Sequence, residues 1–253
     1  IPTLIQEQNS YAGVTNKLLA RHASCICVAY DGMERFFPAD KLVFTGNPVR
    51  QNLLDETLSK DDAIRALGLV PGKRTVLVVG GSLGARTLNE SMLGNLPLLR
   101  QQRSVQFVWQ TGKYYSEEIA AELERRGKPA NLVVTDFIAD MRQAYAAADL
   151  VISRAGAGSI SEFCLLGKPV ILVPSPNVAE DHQTKNALAL VQKEAALYVS
   201  DADARRTLLP LAVNTVTDHD KLETLAHNVK QLAKPHAAAD IADRVIALAE
   251  AGR

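Results

Sequence analysis

Residues 150–162 read LVISRAGAGSISE, an apolar run that breaks into two glycines and leads into a predicted helix. Residues 150–152 are typical of a buried strand, and we expect the helix to begin at Ser159. A glycine turn between a strand and a helix gathers unpaired backbone N–H groups at the positive end of the helix dipole. This arrangement suits a phosphate, and Glu162, one turn into the helix, could accept hydrogen bonds from a ribose diol. The stretch predicts a strand–turn–helix unit with a candidate nucleotide-diphosphate site.

The same residues have an interpretation that needs no ligand. Ser159 and Glu162 have the spacing of a capping box, in which each side chain accepts from the backbone N–H of the other residue. Taken alone, the capping box is the more common use of this pattern. The rest of the chain must decide between the two.

A regular alternation of strands and helices surrounds this stretch. Short apolar runs separated by helical segments are typical of a parallel sheet covered on both faces, the doubly wound α/β class. In this class, ligands bind at the carboxyl ends of the strands, where the glycine turns at 80–84 and 155–158 lie. The predicted strands are 75–79, 105–109, 132–134, 150–152 and 169–173, and the predicted helices are 85–101, 115–127, 141–148, 159–167 and 181–194.

The first 46 residues are predicted to be a separate unit. Strands at 1–6, 25–29 and 42–45 and a helix at 13–22 are too few to close a core, so residues 1–46 are interpreted as the last units of a preceding α/β domain. Because Ile1 is not an initiator Met and already opens a strand, we expect sequence upstream of it. Residues 47–235 form the second predicted domain, after a hinge near Gly46. Residues 236–253 are predicted to be a helix that packs back on the first domain.

Composition excludes several classes of function. The chain has 253 residues, 47% hydrophobic and 22% charged, and a formal net charge of zero, which gives no general attraction to nucleic acid. No membrane span or signal peptide is visible. Cys25, Cys27 and Cys164 lack zinc or redox spacing and are predicted to be buried thiols in a reducing compartment. Asp201 and Asp203 form a literal D-x-D pattern, for which a capping or turn role is favoured over a metal site.

Other polar residues are candidates for the site, each with an alternative. GGSLGA at 80–85 is a second anion cradle or a turn with Ser82 as the helix N-cap. Arg50 follows a rigid turn and suits phosphate oxygens, although an isolated arginine is more often a solvated charge. Gln183 offers an amide for sugar hydroxyls. Asp181 is a natural N-cap, and His182 is a base only if a partner orients it.

These motifs occur together, in order, in one known family. QEQN at 6–9, GVTNK at 13–17, GNPVR at 46–50, GGSLGA at 80–85, Phe137-Ile138, residues 156–162 and DHQTKNA at 181–187 resemble MurG, the lipid-linked peptidoglycan N-acetylglucosaminyltransferase family of the GT-B fold. The resemblance covers nearly the whole chain. It favours the ligand role of Glu162 over the capping box.

The resemblance implies a role for each matching residue. Ile138 would meet the uracil through its backbone, and Glu162 would hold the ribose hydroxyls. Ser82 and the segment 157–161 would cradle the diphosphate, with Arg50 nearby. Gln183 and Asn9 would recognise the GlcNAc hydroxyls by hydrogen bonding. The residues of that segment are Ala157, Gly158, Ser159, Ile160 and Ser161.

The implied reaction is inverting transfer of GlcNAc from UDP-GlcNAc to undecaprenyl-diphospho-MurNAc-pentapeptide, without metal or cofactor. Backbone N–H groups and a helix dipole would stabilise the departing UDP. In the family, the proposed base lies on a glycine-rich, histidine-bearing loop that precedes anything in this chain, so we expect donor binding with little or no turnover by this chain alone.

The family's role in peptidoglycan synthesis, cell shape and division implies a peripheral location on the cytoplasmic face of the bacterial inner membrane. Contact with the membrane would be made by the missing N-terminal region. Two alternatives stay open: a UDP-GlcNAc 2-epimerase or other GT-B enzyme, and a nucleotide-sugar-binding module without chemistry.

Overall fold

A computed structural model describes residues 1–54 and 58–251 of the chain. Its first sheet contains three parallel strands in sequence order: β1 (Leu4–Glu7), β2 (Cys25–Val28) and β3 (Leu42–Phe44). Helix α1 (Val14–Leu19) follows β1. A small apolar cluster that includes Ile26, Met33 and Phe37 lies beneath this sheet. The strand pattern predicted for residues 1–45 is therefore present.

The second sheet is larger and entirely parallel. Its strands are β4 (Arg74–Val79), β5 (Val105–Gln110), β6 (Leu132–Thr135), β7 (Leu150–Ser153), β8 (Val170–Leu172) and β9 (Leu197–Tyr198). Their spatial order is β6-β5-β4-β7-β8-β9, which reverses direction between β4 and β7. This is the doubly wound order, and its crevice for ligands lies outside the carboxyl ends of the two strands where the order reverses.

Helices cover both faces of the second sheet. Along β4, Val76 and Val78 enter one apolar layer, whereas Leu77 and Val79 enter the other, because successive side chains point to opposite faces. The continuous apolar runs in the sequence follow from this two-sided burial. The helices are α2 (Lys60–Ala66), α3 (Arg86–Gly94), α4 (Leu96–Gln101), α5 (Ser116–Arg126), α6 (Met141–Ala147), α7 (Ala157–Leu166), α8 (His182–Val191), α9 (Ala204–Thr217), α10 (His219–Gln231) and α11 (Ala237–Ala251).

Two helix predictions are corrected. The single helix expected at 85–101 is two helices separated at Asn95, because Pro97 in the first turn of α4 has no N–H to continue the preceding helix. Helix α7 begins at Ala157, two residues earlier than expected, with Gly156 as its N-cap. Since Ala157 and Gly158 carry no start signal, the sequence pattern pointed to Ser159 instead.

The three cysteines are buried and free, in agreement with their prediction as buried thiols. Burial raises the pKa of the Cys27 thiol to about 11 and that of the Cys164 thiol to about 12, so both are protonated thiols at neutral pH. None of the helices in the described part of the chain is long and apolar enough to cross a membrane. The domain boundaries at 46 and 235 stay predictions.

Candidate functional site

Two adjoining cavities lie along the carboxyl edge of the second sheet, where the strand order reverses. The first, which we call the β6-side cavity, has a volume of about 310 Å³ and extends toward the loop after β6. It brings together residues from five separate segments of the chain. Five predicted site residues line it: Arg50, Ser82, Ile138, Ser159 and Glu162.

The second cavity, which we call the β8-side cavity, has a volume of about 700 Å³ and extends toward the loop after β8. It shares Gly81, Ser153 and Ser159 with the first cavity, so the two adjoin each other. Gln183 lines the β8-side cavity. Both cavities thus contain predicted site residues, and the start of α7 stands between them.

Glu162 is held by two partners inside the β6-side cavity. Its Oε1 lies 3.0 Å from Nη2 of Arg50, and its Oε2 accepts a hydrogen bond of 2.8 Å from the hydroxyl of Tyr145. The Glu162 side chain is 16% exposed, so its carboxylate remains open to the cavity. The capping-box interpretation is wrong: α7 starts before Ser159, and no side chain in residues 1–54 or 58–251 caps it.

The first turn of α7 is the candidate anion cradle. Ala157, Gly158 and Ser159 are the first three residues of this helix, and their N–H groups precede its first intrahelical bond, from Ile160 N to Gly156 O. The positive end of the helix dipole lies at the same point. The cradle is therefore a helix N-terminus at the strand reversal.

The last two residues of the segment 157–161 lie within helix α7. The Ile160 side chain is 2% exposed and lies in the core, and its N–H is already bonded within the helix. The Ser161 hydroxyl donates to the Ala157 carbonyl and accepts from Asn47. Of the segment 157–161, Ser159 lines both cavities.

The glycine turn after β4 is held rigidly by Gln110. Its Oε1 accepts from the Gly80 N–H at 3.2 Å, and its Nε2 donates to the carbonyls of Gly81 and Asp136 at 2.9 and 3.0 Å. The alternative that Ser82 caps the next helix is wrong, because α3 has Ala85 as its N-cap. Ser82 is exposed at the cavity.

The loop after β6 forms the far wall of the β6-side cavity. Ile138 is 9% exposed, while Phe137 before it is 48% exposed. The Thr135 hydroxyl donates to the Phe137 carbonyl at 2.8 Å and fixes the path of the loop. This loop gives the cavity an apolar end that suits a flat base.

Gln183 connects two loops at the edge of the β8-side cavity. Its Oε1 accepts from the N–H groups of Ala155 and Ser175, at 3.2 and 2.9 Å. Because both partners are donors, the side-chain oxygen is fixed toward them and Nε2 is the group left to meet a ligand. Gln183 can therefore donate to a sugar hydroxyl, but its carbonyl is already engaged.

The residues before Gln183 have structural roles. Asp181 is the N-cap residue of α8, as predicted, but it is in the left-handed conformation and its side chain makes no capping bond to the helix. Its carboxylate accepts from the Thr184 hydroxyl instead. Nδ1 of His182 donates to the Ala179 carbonyl at 2.8 Å.

Asn9 is not brought into either cavity. Its Oδ1 accepts from Nδ2 of Asn186, a buried residue of α8. Asn9 thus lies against α8, the helix that carries Gln183, and is not among the residues that line the two cavities.

Both oxygens of the Asp201 carboxylate are bonded to other side chains of the protein. Its Oδ1 lies 2.6 Å from Nη1 of Arg154, and its Oδ2 accepts from the Thr87 hydroxyl at 2.9 Å. The Asp203 carboxylate is bonded to Ser200 and Arg206. Among the described residues, no group of three or more His, Cys, Asp or Glu side chains could hold a metal ion.

Sequence reasoning missed three residues that shape the site. Gln110 could have been identified from the sequence, because it is a polar residue at the carboxyl end of an apolar strand, where ligands bind in this class of fold. Tyr145 lies in an alanine-rich helix, and no neighbouring residue marks it as a partner of Glu162. Asn186 lies in the DHQTKNA motif, and no neighbouring residue marks it as a partner of Asn9.

A doubly wound sheet with a candidate anion cradle at its strand reversal, preceded by a separate three-stranded parallel sheet, defines a GT-B-type α/β protein. The comparisons with known proteins agree with this class. The family model "Glycosyltransferase family 28 C-terminal domain" matches residues 75–245. The chain is 64% identical over 250 residues to the UDP-N-acetylglucosamine--N-acetylmuramyl-(pentapeptide) pyrophosphoryl-undecaprenol N-acetylglucosamine transferase of Bacteroides fragilis, covering 99% of this chain and 66% of that relative.

Other relatives extend the comparison. The transferase of the same name from Cytophaga hutchinsonii is 50% identical over all of this chain and 67% of its own length. The crystal structure of Acinetobacter baumannii MurG matches with a TM-score of 0.76 at 34% identity, covering 96% of this chain and 67% of that one. A UDP-N-acetylglucosamine 2-epimerase structure shares the fold alone, at 15% identity and a TM-score of 0.63.

The chain belongs to glycosyltransferase family 28 and, within it, to the MurG family. It spans 66% of the length of the Bacteroides fragilis relative.

Proposed function

We propose that this chain binds UDP-GlcNAc and forms the donor half of a transferase that moves GlcNAc to a lipid-linked muramyl-pentapeptide diphosphate. One observation carries the proposal: Glu162 and Arg50 line one cavity at the strand reversal together with Ser159, a residue of the first turn of α7. A carboxylate beside a cationic group and a helix N-terminus is complementary to a ribose joined to a diphosphate.

The donor occupies both cavities in this proposal. The uracil lies against the loop at Phe137 and Ile138, and the ribose hydroxyls donate to Glu162. The diphosphate lies on the first turn of α7, between the two cavities. The sugar then extends into the β8-side cavity, where Gln183 Nε2 donates to a hydroxyl.

In the proposed reaction, negative charge develops on the diphosphate when UDP departs. An acceptor hydroxyl gives its proton to a general base and attacks the anomeric carbon from the face opposite UDP, the C–O bond to the diphosphate breaks, and configuration is inverted. Negative charge grows on the diphosphate as it leaves. The N–H groups of Ala157, Gly158 and Ser159 and the helix dipole stabilise that charge, and Arg50 is close enough to add its own.

The acceptor in the names of the relatives is pyrophosphoryl-undecaprenol, whose long hydrocarbon chain belongs in a membrane. We therefore infer that the complete enzyme works at a membrane surface, on the cytoplasmic side where nucleotide sugars are made, and serves peptidoglycan synthesis. The relatives' names and their 64% identity favour this activity over epimerisation, because the epimerase structure shares the fold alone at 15% identity.

Calorimetric titration with UDP-GlcNAc, UDP-glucose and ADP tests the proposal. We expect UDP-GlcNAc to bind more tightly than UDP-glucose, and ADP not to bind. Glu162→Ala should weaken UDP-GlcNAc binding by about tenfold or more, because hydrogen bonds to a charged group contribute about 1.5–3 kcal/mol. Glu118→Ala, on the exposed face of α5, is the matched control.

Two results would contradict the proposal. Equal affinity for the three ligands would exclude sugar recognition by this chain. Unchanged affinity of Glu162→Ala, with only a lower unfolding free energy, would show that Glu162 is structural. Incubation with a lipid-linked acceptor and radiolabelled UDP-GlcNAc then measures how much transfer the chain performs alone.

A further inference from the structure

Tyr145 lines the β6-side cavity and contacts Glu162, on which the proposed donor binding depends. Its hydroxyl donates to Glu162 Oε2 at 2.8 Å, and the residue is only 3% exposed. Its ring packs edge-to-face on Phe163, the neighbour of Glu162, with 5.9 Å between ring centroids. Both ends of this side chain are therefore fixed.

The two oxygens of Glu162 have unequal partners. Oε2 is bonded to the buried Tyr145, whereas Oε1 is bonded to Arg50, whose side chain is 59% exposed. An exposed ion pair contributes little free energy, since solvent screens it and the arginine loses entropy by holding one geometry. A ligand that needs Glu162 will displace Arg50 and leave Tyr145 in place.

The protonation of Tyr145 supports a permanent contact. Burial, followed by the nearby Glu162 charge, raises the pKa of the Tyr145 phenol well above its ordinary value. The phenol stays neutral at physiological pH and always has a proton to donate. It thus acts as a fixed donor to Oε2.

We propose that Tyr145 is the positioning residue for ribose recognition: it holds Glu162 Oε2 so that Oε1 exchanges Arg50 for the ribose hydroxyls. Once released, Arg50 is free to pair with the donor diphosphate in the same cavity. This assignment rests on the proposed function, and it gives each Glu162 oxygen a separate partner.

A purely structural role predicts something different. If the Tyr145 hydroxyl only satisfies a buried carboxylate oxygen, its loss would lower the stability of the fold and affect all nucleotides alike. A positioning role predicts a loss of affinity restricted to ligands with a ribose diol. The two roles are separable by comparing UDP with 2′,3′-dideoxy-UDP.

The experiment is calorimetric titration of the chain and of Tyr145→Phe with both nucleotides. We expect Tyr145→Phe to bind UDP about tenfold more weakly, a typical effect of losing one hydrogen bond to a charged group, and to bind dideoxy-UDP as the unmodified chain does. Tyr30→Phe is the matched control, because among the described residues the buried Tyr30 hydroxyl has no hydrogen-bond partner. It should leave both affinities unchanged.

A double-mutant cycle with Glu162→Ala completes the test. In the Glu162→Ala background, Tyr145→Phe should have no further effect on UDP affinity, since the group it positions is gone. Equal losses for UDP and dideoxy-UDP, or additive effects in the cycle, would overturn the positioning role while leaving donor binding intact. A chain that binds neither nucleotide would overturn the proposed function and this assignment with it.

Discussion

Asn186 joins the two sheets of the molecule through a single buried side chain. Its Oδ1 accepts from the Ser10 N–H at 2.8 Å, and its Nδ2 donates to Asn9 Oδ1 at 3.0 Å. Asn186 belongs to α8 of the second sheet, whereas Asn9 and Ser10 follow the first strand of the first sheet. The polar cluster at the end of β1 is thereby connected to the helix that carries Gln183.

Replacement of Asn186 by Ala should lower the free energy of unfolding by about 2 kcal/mol. The substitution leaves the Ser10 N–H buried without its acceptor, and an unsatisfied buried donor costs about 1–3 kcal/mol. Urea unfolding followed by circular dichroism measures the change. Asn177→Ala, an exposed asparagine, is the control and should change stability by less than about 0.5 kcal/mol. Equal stability of the two variants would show that the connection contributes nothing.

Two glycines of the turn after β4 should respond differently to alanine. Gly81 and Gly84 both have a positive φ, +86° and +84°, which costs an L-residue about 1–2 kcal/mol. A Cβ on Gly81 would meet nothing within 4 Å, whereas one on Gly84 would lie 2.1 Å from the Thr111 carbonyl oxygen. Gly81→Ala should therefore cost about 1 kcal/mol of unfolding free energy, and Gly84→Ala clearly more, because backbone must move. Urea midpoints that fall equally for the two variants would contradict the close packing of Gly84.

Arg50→Ala should change the affinity for the diphosphate part of the donor and the affinity for its nucleoside part in different directions. In the free chain Arg50 occupies Glu162 Oε1, so its removal frees that oxygen for the ribose and removes a positive charge from the diphosphate. We expect UDP to bind several-fold more weakly and uridine to bind as well or slightly better. Calorimetry with both ligands gives the answer. Arg65→Ala, an exposed arginine of α2, is the control. A parallel loss for uridine would mean that Arg50 supports Glu162 instead of competing for it.

The doubly wound sheet was predictable because its cause is local. Strands buried on both faces must be apolar at every position, so runs such as 75–79 and 150–152 stand out from the amphipathic helices between them. The position of the crevice then follows from the chain order alone, since glycine turns end both β4 and β7. The same reasoning placed Ser82, Ser159 and Glu162 at one edge, where the structure has them.

The partners of Glu162 were not predictable because they come from distant parts of the chain. Arg50 is 112 residues away and Tyr145 is 17 residues away, on a different helix. Local spacing favoured Ser159 as the partner, but a shift of two residues in the helix start removed that geometry. Helix starts are difficult to locate when alanine and glycine precede the first turn, since neither marks a cap by hydrogen bonding.

Lys168, at the opposite edge of the sheet from the crevice, should make stability rise with pH. Its Nζ donates to the Ala148 carbonyl at 3.0 Å. Burial and the repulsion of Lys60 lower the pKa of Lys168 to about 8, although Asp149 acts to raise it. Between this pKa and the ordinary value near 10.4, the unfolded chain binds more protons than the folded one, so deprotonation favours folding.

The expected gain is on the order of 2 kcal/mol of unfolding free energy between pH 7 and pH 10. Other groups titrate in this range, so the measured quantity is the difference between the unmodified chain and Lys168→Met in urea unfolding at each pH. That difference should shift in favour of the unmodified chain as pH rises. Lys128→Met, at an exposed lysine, should show no such trend. A difference that stays constant with pH would mean that Lys168 keeps its proton in the folded chain, because its ammonium would then be solvated or paired.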